Sequence, residues 1–291
     1  MEILVTGATG LVGRPLVKAL LDAGAKVRAA TRNADKAAFP AAVRVVAGDP
    51  AAPESFAAAL EGADGLFLHP RAVGLAAPKL LELARSAGVR RVVVLSATNV
   101  DEPLEDQPSR YNGDRNREVE AAAIASGLEW VSLRASYFAT NALRTWGTQI
   151  AAHDTIFGPY AAMAEAPIDP ADLGEIAARV LITDLYRNCR LELTGPRSIT
   201  NREMVETIGQ VLLRPLRYVE VAPADAEKAM VQQGLNPQFV AALIRRYEAL
   251  AGKPAPVSGD AAAVLGRPPR SFAEWAMKNI RAFRPAASAA E

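Results

Sequence analysis

The sequence predicts an α/β protein with a doubly wound parallel sheet and a smaller C-terminal α/β domain. Over the first 155 residues, short aliphatic segments alternate with amphipathic helical segments. Beyond residue 155 the alternation loosens, and prolines divide the chain into shorter pieces. We therefore expect a sheet domain over residues 1–155, a smaller and mostly helical domain over 156–284, and a frayed tail at 285–291. A return of the chain to the sheet near residues 165–195 is left open.

Strands of a parallel sheet are buried on both faces, and six segments have the aliphatic composition that this requires. These strands are predicted at residues 2–6, 26–31, 43–47, 65–68, 91–95 and 129–134. Helices are predicted between them at about 11–23, 53–60, 78–87 and 114–126. In the second domain we expect helices at 169–185 and 200–213, strands at 190–193 and 216–221, and two or three further helices.

The composition argues against several classes of protein. A chain of 291 residues that is 50% hydrophobic and 22% charged can bury a large core, so disorder is excluded. A formal net charge of +1 gives no general attraction to nucleic acid or to an anionic membrane. One cysteine and two histidines argue against a disulfide and a structural metal site. Without a signal-peptide pattern or an apolar stretch of about 18 residues, we expect a cytoplasmic protein.

A glycine-rich segment joins the first strand to the first helix. It consists of Gly7, Ala8, Thr9, Gly10, Leu11, Val12 and Gly13. Free N–H groups at a helix N-terminus bind the pyrophosphate of a dinucleotide, and glycine allows the tight turn and close approach that this needs. The segment predicts a Rossmann-type dinucleotide site, although a tight turn that binds nothing has the same pattern.

The end of the second strand indicates which dinucleotide is bound. NAD-selective sites place a carboxylate there for the adenosine ribose hydroxyls, but this chain has Thr31, Arg32 and Asn33. The guanidinium of Arg32, assisted by Lys36, is suited to a 2′-phosphate. We therefore expect NADP(H) in preference to NAD(H), with a solvated Arg32 as the alternative.

These residues resemble the NmrA-like branch of the atypical short-chain dehydrogenase/reductase family, which has the same Gly-x-x-Gly-x-x-Gly spacing. The similarity extends over most of the chain, at residues 48–49, 96–97, 126–134, 167–169 and 193–196. The resemblance implies that Asp49 meets the adenine amino group, and that His69 and Pro70 flank the adenosine ribose and pyrophosphate. A turn residue at Asp49 and an ordinary loop histidine at His69 are the alternatives.

The resemblance also implies which residues line the nicotinamide end of the site. They are Ser96, Ala97, Tyr137 and Phe138. The two aromatic residues are equally compatible with ordinary core packing.

The usual proton donor of the family is in doubt in this chain. Ordinary family reductases use a tyrosine and a lysine four residues later. Counted back from Glu120, which matches a family glutamate, these places hold Asn112 and Asn116. Tyr111 and Arg115 have the same four-residue spacing but lie one residue earlier, which rotates them by about 100° around a helix. Ordinary surface residues in a polar loop are the alternative for both. The candidates for a catalytic role are therefore Ser96, Tyr111, Arg115, Asn116 and Tyr137.

The function that we predict is an NADPH-dependent reductase of a quinone or of a conjugated or aromatic carbonyl compound. Hydride addition to a quinone gives a delocalised anion that depends less on a general acid, and the family includes NADPH:quinone oxidoreductases without the dyad. The alternative is a non-catalytic NADP(H) redox sensor, and a nucleotide-sugar epimerase-like enzyme is less favoured. The partner would be a small aromatic molecule, and the oligomeric state stays open, with a homo-oligomer as one option.

Two parts of the chain could enclose such a substrate. Residues 101–112, rich in Asp, Glu and Pro, follow the fifth strand and could form a lid, although an inert loop is equally compatible. Residues 143–146 and 230–247 are apolar enough to bury an aromatic ligand, but ordinary helix packing requires the same composition.

Overall fold

A computed structural model describes residues 1–34 and 37–284. Lys36 and the tail at 285–291, which carry two of the predictions, lie outside the described residues. Within them the strands are β1 Glu2–Val5, β2 Lys26–Thr31, β3 Val43–Ala47, β4 Gly65–Leu68, β5 Arg91–Ala97, β6 Glu129–Ala135, β7 Thr155–Gly158, β8 Ala164–Glu165, β9 Cys189–Leu193, β10 Ile199–Thr200 and β11 Arg217–Glu220. The helices are α1 Gly13–Asp22, α2 Pro53–Leu60, α3 Pro70–Val73, α4 Ala77–Ser86, α5 Asn116–Ala125, α6 Asn141–Ala152, α7 Pro170–Ile182, α8 Asn201–Leu212, α9 Pro223–Gln232, α10 Pro237–Leu250, α11 Asp260–Leu265 and α12 Phe272–Lys278.

The main sheet has seven strands in the order β3-β2-β1-β4-β5-β6-β9, and every neighbouring pair is parallel. Helices cover both of its faces, which confirms the predicted doubly wound α/β class. The order reverses between β1 and β4, and the loops that follow these two strands lie at the carboxyl edge where ligands bind in such sheets.

Six strands were predicted, and the seventh is a correction. β9 pairs with β6 in the register Val131↔Cys189, and α7, the helix before it, packs against α1. The chain therefore returns to the sheet after residue 155, as the sequence had left open. The domain boundary at 155 stays a prediction.

Two apolar cores fill the spaces between the sheet and its helices. On one face, Leu16 of α1 and Ile176 of α7 pack against Val93 and Val131. On the other face, helices α2, α4 and α5 cover Leu66, Val92 and Val94. Alternate residues of β5 therefore enter different cores, as expected for a strand with a two-residue repeat.

The C-terminal lobe has a separate core that includes Trp146, Tyr218 and Trp275. Its strands form two small pairs, β7 with β11 in parallel and β8 with β10 antiparallel. The sequence missed α6 as a helix and missed β7, β8 and β10 as strands. In the part of the chain that the structure describes, we find no helix long and apolar enough to cross a membrane.

Candidate active site

The glycine loop, residues 7–13, forms a tight backbone turn at the N-terminus of α1. Gly7 has a φ of +62°, and the Gly10 N–H donates to the Gly7 carbonyl oxygen at 2.9 Å. A Cβ atom at Gly13 would lie only 2.2 Å from that same oxygen, so a side chain there would displace the turn. Ala8 and Val12 are buried in the core below, whereas Thr9 and Leu11 are exposed at the rim. The turn thus presents backbone without side chains at a helix N-terminus, the arrangement that suits a pyrophosphate.

His69 lies against the glycine loop. A Cβ atom at Gly7 would come within 2.8 Å of the His69 Cβ, so glycine is needed for this approach. The Thr6 hydroxyl donates to the Phe67 carbonyl oxygen at 2.9 Å and accepts from the His69 N–H at 2.9 Å. Thr6 therefore fixes the loops after β1 and β4 relative to each other, a role that the sequence analysis missed. Its place directly before Gly7 was the available clue.

The imidazole of His69 also caps the short helix α3. The Arg71 N–H donates to Nδ1 at 3.3 Å, and Pro70 is buried at the first helical position. Burial lowers the pKa of His69, and the partial opposing effect of Asp114 does not reverse this. A neutral imidazole beside a pyrophosphate site adds no positive charge, so the backbone N–H groups carry the anion binding.

Arg32 and Asp49 lie at the carboxyl ends of neighbouring strands. Arg32 follows β2 and is exposed, as a group that meets a ligand phosphate must be. Asp49 follows β3 and is half-buried, and its Oδ1 accepts the Ala51 N–H at 3.0 Å. The carboxylate thus has the turn role that was one alternative. The adenine contact of Asp49 and the phosphate contact of Arg32 stay predictions.

The segment after β6 is hydrogen-bonded to residues 166–168. The Ile168 N–H donates to the Tyr137 carbonyl oxygen at 2.9 Å, and the Ser136 hydroxyl donates to the Ala166 carbonyl oxygen at 2.7 Å. Phe138 packs against the sheet core, and Tyr137 packs against the core of the C-terminal lobe. Tyr137 therefore lies where the two lobes meet, at the end of the sheet that the resemblance assigns to nicotinamide. Ala97 ends the adjacent strand β5.

Ser96 faces away from Ala97, because neighbouring strand residues point to opposite faces. Its side chain is buried on the α5 side of β5, the side that also holds Glu120. Burial would raise the pKa of Glu120, but hydrogen bonds from Arg134 and Ser132 lower it to about 2. Arg134 also binds Asp101 at 2.7 Å, which ties the start of the acidic segment to the sheet. The catalytic role of Ser96 stays a prediction.

Tyr111 and Arg115 do not lie on one helical face. Tyr111 belongs to a 3-10 turn over Pro108–Asn112, Gly113 has a φ of +95°, and α5 begins only at Asn116. The start of α5 predicted at 114 is therefore wrong by two residues, because this glycine turn interrupts the helical pattern. The Tyr111 hydroxyl lies 3.5 Å from the Glu105 carbonyl oxygen, and Arg115 donates to two carbonyl oxygens at 2.9 Å.

Asn116 is buried at the first position of α5. Its amide donates to the Ser109 hydroxyl oxygen at 3.3 Å. Ser109 belongs to the polar turn that precedes the helix, so this contact holds the turn onto α5. That the chain lacks the tyrosine–lysine pair stays a prediction from residue identities.

The acidic segment, residues 101–112, is held by helix α10. Arg245 donates to an Asp106 carboxylate oxygen at 3.0 Å and to the Glu105 carbonyl oxygen at 2.7 Å. The neighbouring Arg246 donates to the Glu102 carboxylate at 3.1 Å. The segment thus bridges the sheet and the C-terminal lobe, and its role as a lid stays a prediction.

Tyr137 belongs to a cluster of buried and half-buried side chains that the sequence did not indicate. We call Tyr137, Glu165, Arg246 and Tyr247 the tyrosine–glutamate cluster. Burial raises the pKa of Glu165, an effect that Arg246 only partly offsets. Burial also raises the pKa of Tyr137 well above its usual range and that of Tyr247. The one sequence clue was a glutamate within the otherwise apolar residues 161–168.

A model of NAD(P)H-binding proteins matches residues 7–182 of this chain. The chain belongs to the NAD(P)H-binding family. This confirms the family resemblance, and the matched residues of the NAD(P)H-binding family run from the glycine loop to the end of α7. The match therefore includes every strand of the main sheet from β2 to β6 and the cluster residue Glu165.

Two curated relatives align along nearly the whole chain. A (4-alkanoyl-5-oxo-2,5-dihydrofuran-3-yl)methyl phosphate reductase of Streptomyces griseus is 33% identical, with 97% of this chain and 99% of the relative covered. An NAD(P)H azoreductase of Xenophilus azovorans is 30% identical, with the same two shares covered. Both alignments thus include the C-terminal lobe as well as the NAD(P)H-binding region.

Solved structures share the fold at lower identity. An NADPH-dependent quinone oxidoreductase from Escherichia coli has a TM-score of 0.79 at 22% identity, covering 95% of this chain and 99% of that one. A Citrobacter sp. triphenylmethane reductase complexed with NADP(H) has a TM-score of 0.77 at 21% identity, covering 96% and 100%. The second lobe therefore belongs to a fold that these proteins have in common.

Proposed function

We propose that this chain is an oxidoreductase that uses NADPH to reduce a quinone or a conjugated or aromatic carbonyl compound. The observation that carries the proposal is the backbone turn of Gly7 and Gly13 at the start of α1, with His69 against it. Arg32 lies exposed at the end of the neighbouring strand, where a 2′-phosphate would lie.

The relatives support the class of acceptor. Their names describe reductases of a dihydrofuranone phosphate, an azo compound, a quinone and a triphenylmethane. The furanone, azo and quinone names describe conjugated π-systems that can accept a hydride. A reductase of such compounds needs a place for a flat aromatic or conjugated group. Tyr137, where the two lobes meet, is the side chain that would contact this group.

When bound, NADPH supplies the hydride. The chain's own residues bind and orient it: N–H groups of the glycine loop take the pyrophosphate, and Arg32 takes the 2′-phosphate. The segment from Ser136 to Phe138 limits the nicotinamide end. Its hydrogen bonds to residues 166–168 hold it in place, so the acceptor is oriented by a rigid wall.

The loss of NADPH absorbance tests the proposal. Purified protein is assayed with 1,4-naphthoquinone and with an aromatic enone, using NADPH or NADH, and Arg32→Ala is compared with Arg44→Ala, an exposed arginine on β3. We expect saturable, acceptor-dependent turnover that prefers NADPH. In Arg32→Ala the KM for NADPH rises by about 10- to 100-fold, the value of one charged hydrogen bond, with little change for NADH.

Calorimetry separates the reductase from a redox sensor. If no acceptor is reduced while NADP binding is still measured, the reductase proposal fails and the non-catalytic sensor replaces it. If Arg32→Ala and Arg44→Ala weaken NADPH equally, the 2′-phosphate role of Arg32 fails.

A further inference from the structure

Glu165 is a buried carboxyl group with an incomplete ion pair. Its side chain is 7% exposed, and its ion-pair partner among the described residues, Arg246, places Nη2 3.6 Å from Oε1. That distance is longer than a hydrogen bond. The hydrogen bonds of Arg246 go instead to Glu102, at 3.1 and 3.3 Å. One guanidinium is thus shared by the partly exposed Glu102 and the buried Glu165, and a proton on Glu165 avoids the cost of a poorly paired charge in a buried place.

The position of Glu165 brings it to the acceptor side of the site. It ends β8, and three residues later in the chain the Ile168 N–H donates to the Tyr137 carbonyl oxygen at 2.9 Å. The charge of Glu165 contributes to the raised pKa values of Tyr137 and Tyr247, so both aromatic side chains lie near it. The carboxyl group therefore lies in the same region as the Tyr137 ring, where the two lobes meet.

Three of the other candidates, Tyr111, Arg115 and Asn116, are poorly suited to give up a proton. The Tyr111 hydroxyl lies in an exposed contact with the Glu105 carbonyl oxygen. Arg115 has two carbonyl partners, and neither its guanidinium nor the amide of Asn116 loses a proton near neutral pH. A buried carboxylic acid does so readily once a stronger base appears beside it.

We propose that Glu165 donates the proton that the acceptor takes up after hydride transfer, an inference that rests on the proposed reductase function. The acceptor gains a hydride, and with it two electrons, and becomes an enolate or phenolate anion. A new O–H or C–H bond then forms at that anion as the O–H bond of Glu165 breaks and leaves a carboxylate. Water returns the proton to Glu165 between turnovers.

Burial raises the pKa of Glu165, so the acid form persists to higher pH than for an exposed glutamate. The charged groups that act on it are Arg246 from α10, which lowers the pKa, and Glu102 from the acidic segment, which raises it. The neighbouring hydroxyls of Tyr137 and Tyr247 are neutral at physiological pH, as an ordinary tyrosine is, and burial raises their pKa values further.

The test compares Glu165→Gln with wild type on three acceptors that need a proton to different degrees. An aromatic enone gives a basic enolate, 1,4-naphthoquinone gives a less basic anion, and a cationic triarylmethane dye gives a neutral product that needs no proton. We expect kcat to fall about 100-fold with the enone, less with the quinone and little with the dye. The KM for NADPH stays unchanged, and the decline of wild-type kcat at high pH disappears in the variant.

Glu192→Gln is the matched control. Glu192 on β9 also has a pKa raised by burial and lies 3.4 Å from Arg134, but it belongs to the Glu120 region. We expect Glu192→Gln to keep the wild-type kcat order among the three acceptors and the wild-type pH profile of kcat. Binding of NADPH to Glu165→Gln, measured by calorimetry, shows that the variant is folded without depending on turnover.

The outcomes separate this inference from the proposed function. If wild type reduces none of the three acceptors, both fail. If wild type is active and Glu165→Gln keeps its kcat with the enone, or loses activity equally with all three acceptors, the proton-donor role fails alone. If the dye is not an acceptor, the inference is judged on two results. The kcat of Glu165→Gln must fall more with the enone than with the quinone, and the decline of wild-type kcat at high pH must disappear in the variant.

Discussion

The glycine loop and the tyrosine–glutamate cluster are built in opposite ways. The loop consists of consecutive residues, and backbone atoms shape it: the Gly10 N–H bonds to the Gly7 oxygen, and Gly13 leaves no room for a Cβ. The cluster is made of side chains from the segment after β6, from β8 and from α10, and charges hold its surroundings. The cofactor end should therefore respond to added bulk, whereas the acceptor end should respond to pH and salt.

The largest effect that we expect comes from bulk in the loop. Gly13→Ala places a Cβ 2.2 Å from a backbone oxygen, so the turn must shift and at least two charged hydrogen bonds to the cofactor weaken. At about 1.5 kcal/mol each, the Kd for NADPH rises about 100-fold. Calorimetry measures it. Gly259→Ala is the control, since no described atom lies within 4 Å of a Cβ there. Equal affinity for NADPH in both variants would show that cofactor binding does not depend on the missing Cβ at Gly13.

The next effect concerns the charges beneath the acceptor end. Glu120→Gln removes the carboxylate that binds Arg134 and should cost about 3 kcal/mol of unfolding free energy at pH 7. The folded pKa of Glu120, about 2, lies below its unfolded value, so its stabilisation is present above about pH 4.3 and is lost as the pH falls toward 2. In urea unfolding, the free energy of unfolding of wild type should exceed that of Glu120→Gln by less at pH 3 than at pH 7. A difference that does not change with pH contradicts this.

A smaller effect is expected where α10 holds the acidic segment. Arg245→Ala removes its contacts with Asp106 and Glu105, each exposed, so about 1 kcal/mol is lost and the KM for the acceptor rises about fivefold. In wild type, salt at about 0.5 M should screen these contacts and raise the KM for the acceptor by part of the same factor. Lys79→Ala, which breaks the exposed pair with Glu82 on α4, is the control and should leave KM unchanged. An unchanged KM in Arg245→Ala would leave the segment without a role in acceptor binding.

The smallest effect is on stability and follows from Glu165. Its folded pKa is raised, so wild type loses stability as the pH rises from the unfolded value through the folded one. Glu165→Gln does not titrate, and its Tm relative to wild type should therefore increase between pH 5 and pH 8. Differential scanning calorimetry of the protein without cofactor measures this. A Tm difference that is flat or decreases with pH would show that Glu165 is ionised throughout.

Most of the sheet was predictable because each strand is a contiguous run of buried aliphatic residues. β2, β3 and β4 have the predicted bounds, and β5 continues two residues further, through Ser96 and Ala97. β9 was recognised as a strand, but its place beside β6 depends on how α7 packs on α1, a contact between distant parts of the chain. α6, with its mixed polar and apolar composition, was not recognised as a helix.

The site was predictable to the same extent. Gly7 and Gly13 lie together in the turn that the motif predicts, and His69 lies against Gly7 because the loops after β1 and β4 meet where the strand order reverses. Tyr111 and Arg115 have the spacing of a functional pair, but Gly113 turns the chain between them. A spacing of four residues has meaning only on a continuous helix.

The sequence by itself determined the α/β class, the glycine loop and the family, because these depend on local periodicity and on residues that are adjacent in the chain. Only the tertiary structure brought Glu165 and Arg246 to Tyr137, and only it attached the acidic segment to α10. Burial and shared counter-charges decide the protonation of such groups, and both depend on which distant side chains the fold places together.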